Sequence, residues 1–442
     1  MALNTRIGPT ALAAALGLAA LAGAGSAKAV SCASVIAAKS LTNVIYGSGG
    51  SAITPTLAKV ALVLSTANPP VTVFYQDAGG AQVGYDTFKA GTGGTTARPY
   101  KYWLKTEDLT TTPTCTFTDA GDVGGPVDFA TIGGTLLGLF PTETLAADTG
   151  TFLGPTQGVN VIVPKLSTQT SISTQALFFV YGFGSDLSYL TGAGATSPIV
   201  WNDKGYIFQR AKTSFVQQYI RGAIRTLGGT AANFPEDFAY ASTQTIVHSV
   251  STKDDNQGTV DSLVWAAGQG KTENAIGFTS GPTADKNRGS VHTLAYQHTG
   301  QTSAYWPDST PEKFDKLNIR NGHYFLWDTN QFFAKISGSN ANPKLDQITN
   351  ANVRRFIGLF SGQVPDKAVN QAVVETGSIP LCAMHVARSG DFTGLSCYAP
   401  AEPCDCAFEK YATGATTCGT CDTDADCGGE SPACHLGYCE AY

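Results

Sequence analysis

The fold of this chain is decided by the stretch Ile45-Tyr46-Gly47-Ser48-Gly49-Gly50-Ser51-Ala52-Ile53-Thr54-Pro55. The apolar run at its start predicts a strand, and the apolar spacing that follows Pro55 predicts a helix. The first N–H groups of a helix have no internal partner, and the helix dipole adds partial positive charge there. Glycines let the backbone approach a ligand closely. The stretch therefore predicts an anion-binding turn, although Ser51 or Thr54 acting as an ordinary N-cap would explain the same residues.

A second unit of the same kind follows at Val71-Thr72-Val73-Phe74-Tyr75-Gln76-Asp77-Ala78-Gly79-Gly80-Ala81-Gln82-Val83-Gly84. It also predicts a strand, a glycine-rich turn and a helix. Two such units in sequence would place two helix N-termini at the same edge of a parallel sheet. The ligand-binding residues predicted in the two turns are Gly50, Ser51, Ala52, Gly79, Gly80 and Ala81.

A third candidate region lies at Tyr206 to Arg210, which the sequence predicts as a buried strand that ends in an arginine. Thr213 and Ser214 then cap a helix predicted to reach Leu227. A guanidinium can hold an oxyanion through two hydrogen bonds, and Ser214 can donate from the helix start. The alternative is that Arg210 forms an ion pair at the strand end or between lobes.

Together these motifs resemble those of the type II periplasmic solute-binding proteins, most closely the phosphate-binding component of the phosphate ABC importer. That family has a G-x-G-x-T-F-P-x-P turn, a V-x-Y-Q-x-x-G-S-x-x-G turn and an R-x-x-x-S-G-T unit. The corresponding segments here are Gly47 to Pro55, Val73 to Gly84 and Arg210 to Val216, followed by Ala275-Ile276-Gly277-Phe278. Trp201-Asn202-Asp203 matches the W-N-D turn of the family, and the resemblance covers roughly residues 44–333.

The resemblance implies an α/β fold with two lobes and a central cleft, in which a small oxyanion or related small ligand binds. It assigns about residues 30–158 and 290–400 to lobe 1 and about residues 159–289 to lobe 2, with a crossing strand at Val159 to Pro164. Arg210, Ser214 and the helix N-termini would hold the ligand. Closure of a monomer would present both lobes to an ABC permease. It implies no catalytic residue, no metal and no cofactor.

Several positions depart from the family pattern. Gly80 stands where the family has Ser, Gly133 where it has Asp, and Phe215 and Val216 where it has Gly and Thr. Each lost charge-assisted hydrogen bond would weaken a phosphate site by about 1–3 kcal/mol. The departures predict either another ligand, such as an organic molecule against an apolar wall, or a secreted binding or structural protein with a degenerate cleft.

Composition narrows the function classes further. The chain has 442 residues, 49 of them glycine, only 14% charged residues and a formal charge of −6, which excludes a basic nucleic-acid footprint. The six histidines fall at no metal-binding spacing, and neither a G-x-S-x-G elbow nor a P-loop occurs. The sequence therefore predicts a protein that is not an enzyme.

The N-terminus predicts export. Arg6, an apolar run over residues 11–24 and Ala27-Lys28-Ala29 are typical of a signal peptide, residues 1–29, cleaved after Ala29. The mature protein would be periplasmic or secreted. The alternative is a lipoprotein anchored through Cys32, which would leave ten of the eleven cysteines for pairing.

The last segment, residues 401–442, changes character. Seven of the eleven cysteines lie there with almost no apolar core, which predicts a small disulfide-rich module that is separable from residues 30–400. Zinc binding or a redox pair at Cys418-x-x-Cys421 is the alternative. Asp422, Asp424 and Asp426 alternate as in a calcium loop, but the glycine and glutamate that such a loop needs are missing.

Overall fold

The computed structural model of the protein describes residues 30–91, 98–105, 112–117, 127–183, 200–201, 203–225 and 255–441. The predicted signal peptide, Asn202 of the Trp201-Asn202-Asp203 motif and the predicted helix end at Leu227 lie outside these residues. No helix in the described ranges combines the length and apolar character needed to cross a membrane.

Strands and helices alternate along most of the described chain. The strands are β1 (Val44–Gly49), β2 (Thr72–Gln76), β3 (Tyr100–Tyr102), β4 (Thr114–Cys115), β5 (Phe129–Gly133), β6 (Thr149–Pro164), β7 (Ser171–Ser173), β8 (Gly277–Ser280), β9 (Val291–Thr293), β10 (Ala295–Gln297), β11 (Trp327–Lys335), β12 (Val386–Arg388), β13 (Leu395–Cys397), β14 (Ala433–His435) and β15 (Tyr438–Glu440). The helices are α1 (Cys32–Ala38), α2 (Thr54–Ser65), α3 (Gly80–Ala90), α4 (Leu136–Leu139), α5 (Thr174–Leu177), α6 (Phe215–Arg225), α7 (Asn256–Gly268), α8 (Gly281–Lys286), α9 (Leu317–Arg320), α10 (Ala351–Phe360), α11 (Lys367–Val374) and α12 (Asp405–Thr413).

The two predicted strand–turn–helix units are confirmed. Strands β1 and β2 are parallel neighbours, with Gly47 opposite Tyr75, and β5 pairs in parallel on the other side of β1. Pro55 lies in the first turn of α2, where its missing N–H costs no helical hydrogen bond. Because both strands run the same way, α2 and α3 begin at the same edge of the sheet, as the sequence predicts.

Strand β6 joins the two halves of the sheet. It is 16 residues long. Its first part pairs with β11, from Thr149 opposite Lys335 to Gly158 opposite Trp327. Its second part, the predicted crossing strand, pairs with β8 and β9. The fold is thus α/β with two lobes that share one strand.

The later strands add to both halves of the sheet. Strand β9 pairs with β6, and β10 pairs with β7, so both belong to the sheet elements of lobe 2. The strand that returns between β5 and β6 is β11, which begins at Trp327. Trp327 therefore begins the strand by which the chain rejoins the half-sheet that contains β5.

One predicted strand and one predicted helix differ from the structure. Tyr206 to Arg210 is not a strand, because only Ile207 makes a bridge, with Ile276. A 3-10 turn at Lys204–Tyr206 precedes it, and the Asp203 carboxylate accepts its Gly205 N–H at 3.1 Å. The helix predicted from Ile172 begins only at α5, because residues 171–173 pair with β10, and it continues as a wider π-helix.

One hydrophobic core continues through both lobes and the tail. Its buried members include Tyr85 from α3, Phe215 and Tyr219 from α6, Phe278 from β8 and Phe408 from α12. A separate cluster packs α2, α10 and α11 on the other face of the first half-sheet. Because the first cluster crosses the cleft, the lobes lie directly against each other near the start of α6.

Ten of the eleven cysteines, all of which the structure describes, form disulfides. The pairs are Cys32–Cys115, Cys382–Cys404, Cys406–Cys418, Cys421–Cys434 and Cys427–Cys439. Cys397 is the odd cysteine, with an exposed thiol. The lipoprotein alternative at Cys32 is therefore wrong, because its sulfur is bonded to Cys115. Zinc or a redox pair at Cys418 and Cys421 is wrong for the same reason.

The cysteine-rich tail packs on the rest of the protein. The Cys382–Cys404 disulfide crosses the predicted boundary at residue 401. Arg320 pairs with Asp405, and its guanidinium lies 4.6 Å from the ring centre of Phe408. The Phe408 side chain is 1% exposed. These contacts connect the predicted module to residues 30–400, so its removal would expose buried surface on both sides.

Replacing both Cys382 and Cys404 with serine tests this attachment. We expect the free energy of unfolding to fall by about 2–5 kcal/mol, because the disulfide restricts the unfolded chain and fixes the tail. Guanidinium denaturation followed by circular dichroism measures the change. The same paired replacement at Cys421 and Cys434, which lie within the tail, is the control. An equal loss from both pairs would contradict the anchoring role of Cys382–Cys404.

Glu440 makes the stability of the folded tail depend on pH. Its carboxylate accepts the N–H groups of Cys406 and Ala407 at the start of α12, at 2.9 and 3.0 Å. Burial raises the pKa of Glu440 to about 7, despite those two hydrogen bonds. A folded pKa above the unfolded value favours folding below about pH 4.5, and this stabilisation is lost as pH rises to about 7.

We therefore expect Glu440→Gln to remove a component of pH-dependent stability between about pH 4.5 and 7, on the order of 3 kcal/mol. The single glutamine oxygen can accept only one of the two helix N–H groups, so the substitution also costs one hydrogen bond, and that loss is the same at every pH. Melting temperatures of both proteins across this range measure the effect. Parallel curves for the two proteins would show that Glu440 does not titrate in this way.

Candidate ligand-binding site

The candidate site lies where β1 and β2 end and where α2 and α3 begin. The helix α3 crosses the end of β1 so closely that a Cβ on Gly84 would lie 2.3 Å from the Cα of Gly49. A Cβ on Gly50 would lie 3.3 Å from that of Ala81. The two predicted turns are thus adjacent, as expected for two units at one sheet edge.

The second turn requires its glycines. Gly79 and Gly80 have φ values of 92° and 86°, in the left-handed region that side-chain-bearing residues rarely adopt. The resulting backbone directs the start of α3 towards lobe 2. A serine at residue 80, as the family pattern has, would be strained in this conformation.

This turn touches lobe 2 directly. A Cβ on Gly80 would lie 2.6 Å from the carbonyl oxygen of Thr213 and 3.1 Å from the nitrogen of Ser214. The N–H of Gln82 donates to the same Thr213 oxygen at 3.1 Å. The structure therefore brings Gly80 together with Ser214, although the two residues were predicted from separate motifs.

Arg210 and Ser214 precede α6 in the chain, and both are buried. Arg210 is 4% exposed and Ser214 is 5% exposed. The backbone N–H of Arg210 donates to Gln217 Oε1 at 3.0 Å, which folds the segment onto the first turn of α6. The predicted strand before Arg210 is absent, yet the arginine is buried at the helix start, where the sequence placed it.

Ser51 makes a second contact between the lobes. Its hydroxyl oxygen accepts from Asn256 Nδ2 at 3.2 Å, at the start of α7. The Asn256 side-chain oxygen in turn accepts the N–H of Ser280, at the end of β8, at 3.2 Å. Ala52, which follows Ser51, is buried. The first turn thus approaches α7, whereas the second turn approaches α6.

A carboxylate of the chain lies at the N-terminus of α2. Asp77 Oδ2 accepts from the hydroxyl of Thr54 at 2.8 Å and from Lys101 Nζ at 2.5 Å. An anion at a helix N-terminus is stabilised by the helix dipole. The start of α2 is therefore already occupied by a carboxylate of the chain, which is paired with Lys101.

Gln76 is a polar residue that the sequence-based site did not include. It ends β2, it is 2% exposed, and neither atom of its amide group has a hydrogen-bond partner among the described residues. Buried amides without partners are rare in proteins. Its place directly before Asp77 and Gly79 was visible in the sequence, but a single glutamine after a strand is a weak signal.

Apolar contact closes the site near β5. A Cβ on Gly133 would lie 2.5 Å from ring atoms of Phe215, the first residue of α6. Phe215 and Val216 are 2% and 1% exposed. Two of the four departures from the family pattern, Gly133 and Phe215, therefore meet in space, since the ring occupies the volume that a side chain at residue 133 would need.

A metal centre is not supported in the described part of the chain. The one group of three potential ligands there is Cys421, Cys427 and Cys439, whose sulfurs are in disulfides. Two of the aspartates considered for calcium cap turns instead. Asp426 accepts the N–H of Asp422 at 2.9 Å. Asp424 accepts the N–H of Cys434 at 2.8 Å.

No protein-family model and no curated protein sequence matches this chain. Its structure is similar to that of an ABC-type phosphate transport receptor from Vibrio cholerae, with 16% identity and a TM-score of 0.44, over 76% of this chain and 99% of the receptor. It is also similar to a phosphate-binding protein from Stenotrophomonas maltophilia, with 13% identity and a TM-score of 0.44, over 77% and 91% of the two chains. At these values the similarity identifies neither a ligand nor the role of any residue.

Proposed function

We propose that this protein is an extracytoplasmic solute-binding protein that binds a small oxyanion, or a small organic ligand with one anionic group, between its lobes. The observation that carries the proposal is the meeting of helix N-termini from both lobes. Gly80, at the start of α3, lies against Ser214, at the start of α6. Helix N-termini offer N–H donors and partial positive charge to an anion.

Each candidate residue has a role in this proposal. Arg210 supplies a buried positive charge and a planar set of donors for an oxyanion. Ser214 supplies a hydroxyl donor, and the backbone of Gly79, Gly80 and Ala81 supplies N–H groups. Gly50, Ser51 and Ala52 form the neighbouring wall of lobe 1. The buried Gln76 amide supports a polar ligand at the same edge of the sheet.

The disulfides support the extracytoplasmic setting of this proposal. Five disulfides are typical of a protein that folds in an oxidising compartment. The predicted signal peptide agrees with a periplasmic or secreted location. In this proposal the protein acts as a monomer, and the closed form would deliver its ligand to an ABC permease.

A second candidate function is that of a secreted binding or structural protein with a degenerate cleft. The Gly133–Phe215 contact favours it, because the ring fills space at the end of β5. In that case the lobes stay packed, and no small anion stabilises the protein. The two candidates differ in whether ligand binding can be measured.

Thermal unfolding with phosphate, sulfate and small organic acids tests the first proposal. A ligand at 100 times its Kd stabilises the native protein by about 2.7 kcal/mol, which raises the melting temperature by a few degrees. We expect Arg210→Gln to abolish this increase, because the buried charge is lost. Arg354→Gln, on the surface of α10, is the matched control and should keep it. No increase with any anion in the unmodified protein would reject the proposal.

The Gly133–Phe215 contact can be tested separately. We expect Gly133→Ala to lower the free energy of unfolding by about 1–3 kcal/mol, because the added methyl group collides with the ring. In a Phe215→Ala background the same change should cost little. Urea denaturation of the four proteins gives the coupling between the two sites. No coupling would mean that the lobes are separated in solution at this point, which would count against the degenerate cleft.

A further inference from the structure

The loop between β12 and β13, residues 389–394, reaches the candidate site from the C-terminal part of the chain. The two strands pair antiparallel, with Arg388 opposite Leu395. This hairpin lies beyond residue 333, where the resemblance described above ends. Its tip contacts both α6 and the turn that follows β5.

Phe392 packs against α6. Its ring centre lies 4.7 Å from that of Tyr219. A Cβ on Gly222, one turn further along α6, would lie 2.2 Å from the Phe392 ring, so only glycine leaves room for it. Phe392 itself has a φ of 61°, which is unusual for a bulky residue. The ring contact holds the backbone in this strained form.

Asp391 binds the other lobe. Its carboxylate accepts the N–H of Thr135 at 2.9 Å and the Thr135 hydroxyl at 2.6 Å. Thr135 lies two residues after Gly133, which faces Phe215. Neighbouring Asp328 is buried, and this burial together with the Asp391 carboxylate raises the pKa of Asp328 well above its usual range.

The base of the hairpin is fixed to the start of β11. Arg388 donates to the carbonyl oxygens of Phe325 and Trp327 at 2.8 and 2.9 Å, and to the hydroxyl of Tyr219 at 2.7 Å. Its guanidinium also lies 4.3 Å from the ring centre of Trp327. The loop of residues 389–394 therefore begins next to Arg388, which is anchored at the start of β11, and reaches α6 and Thr135.

We propose that residues 389–394 form a latch that controls opening of the interlobe site by holding α6 against lobe 1. The latch fixes α6 through Tyr219 and Gly222 and fixes the turn after β5 through Thr135. The start of α6, with Ser214 and Phe215, therefore stays against Gly80 and Gly133. Release of the latch lets α6 move away and exposes the site. The control of ligand access rests on the proposed function. The effect of the latch on the position of α6 does not depend on a ligand.

Hydrogen exchange of the full chain without added ligand, measured by mass spectrometry, tests the latch. Phe392→Gly removes the ring and suits the left-handed backbone, so the loop itself is not strained by the change. We expect amides of α6, and the Gln82 amide that bonds to Thr213, to exchange at least about tenfold faster. Helix α10 should keep its exchange rate. Ser396→Ala, an exposed position in the same hairpin, is the control.

Asp391→Ala provides an independent variant, because it removes the Thr135 contact and keeps the Phe392 ring. It should also increase exchange in α6 and at Gln82. Unchanged exchange in both variants would overturn the latch. An equal increase in α6 and α10 would also overturn it, because the loop would then contribute only to global stability.

The same variants separate this inference from the proposed function. Faster exchange confined to α6 and Gln82 supports the latch whether or not phosphate or sulfate raises the melting temperature. If no anion stabilises the unmodified protein or Phe392→Gly, the solute-binding proposal is rejected, and control of ligand access is rejected with it. If an anion stabilises Phe392→Gly more than the unmodified protein, control of access is supported.

Discussion

The arrangement of the whole molecule depends on one shared strand. Strand β6 is hydrogen-bonded to β11 along its first part and to β8 and β9 along its second. A strand that belongs to two half-sheets fixes how far the lobes can move apart, because large separation would break backbone hydrogen bonds. The lobes also touch at Gly80, which lies against Thr213, and at Ser51, which bonds to Asn256.

Charge is distributed unevenly over the candidate site. Asp77 supplies a carboxylate to the N-terminus of α2, where Thr54 and Lys101 also hold it. Arg210 is buried on the opposite lobe, next to the start of α6. The Asp77 carboxylate is paired with Lys101, whereas Arg210 brings its positive charge into the interior beside the start of α6.

Local sequence signals predicted part of this architecture. The apolar runs before Gly47 and Asp77 predicted two parallel strands, because a short apolar run is enough to recognise a buried strand. Gly79 and Gly80 were predicted correctly as a tight turn, since few other residues adopt their backbone conformation. The segment before Arg210 shows the limit of this reasoning. Its residues are buried, but burial does not require a strand when only Ile207 reaches a partner.

Other features depend on contacts between distant parts of the chain. The meeting of Gly133 with Phe215, and of Phe392 with Gly222, needs the tertiary structure, because no local pattern relates these positions. The disulfide pairs could not be predicted from the sequence either, since the order of cysteines does not determine their pairing. The separable tail was a reasonable prediction from cysteine density. That density did not reveal the disulfide and the Phe408 side chain that connect the tail to the body.

The odd cysteine has a practical consequence. Among the eleven cysteines, all of them described, Cys397 alone lies outside a disulfide, and its thiol is exposed on β13. This strand forms one arm of the hairpin that carries residues 389–394. A thiol-reactive fluorophore would therefore attach at a single position without any engineered substitution. A fluorescence experiment could therefore follow displacement of the β12–β13 hairpin through a label on this natural cysteine.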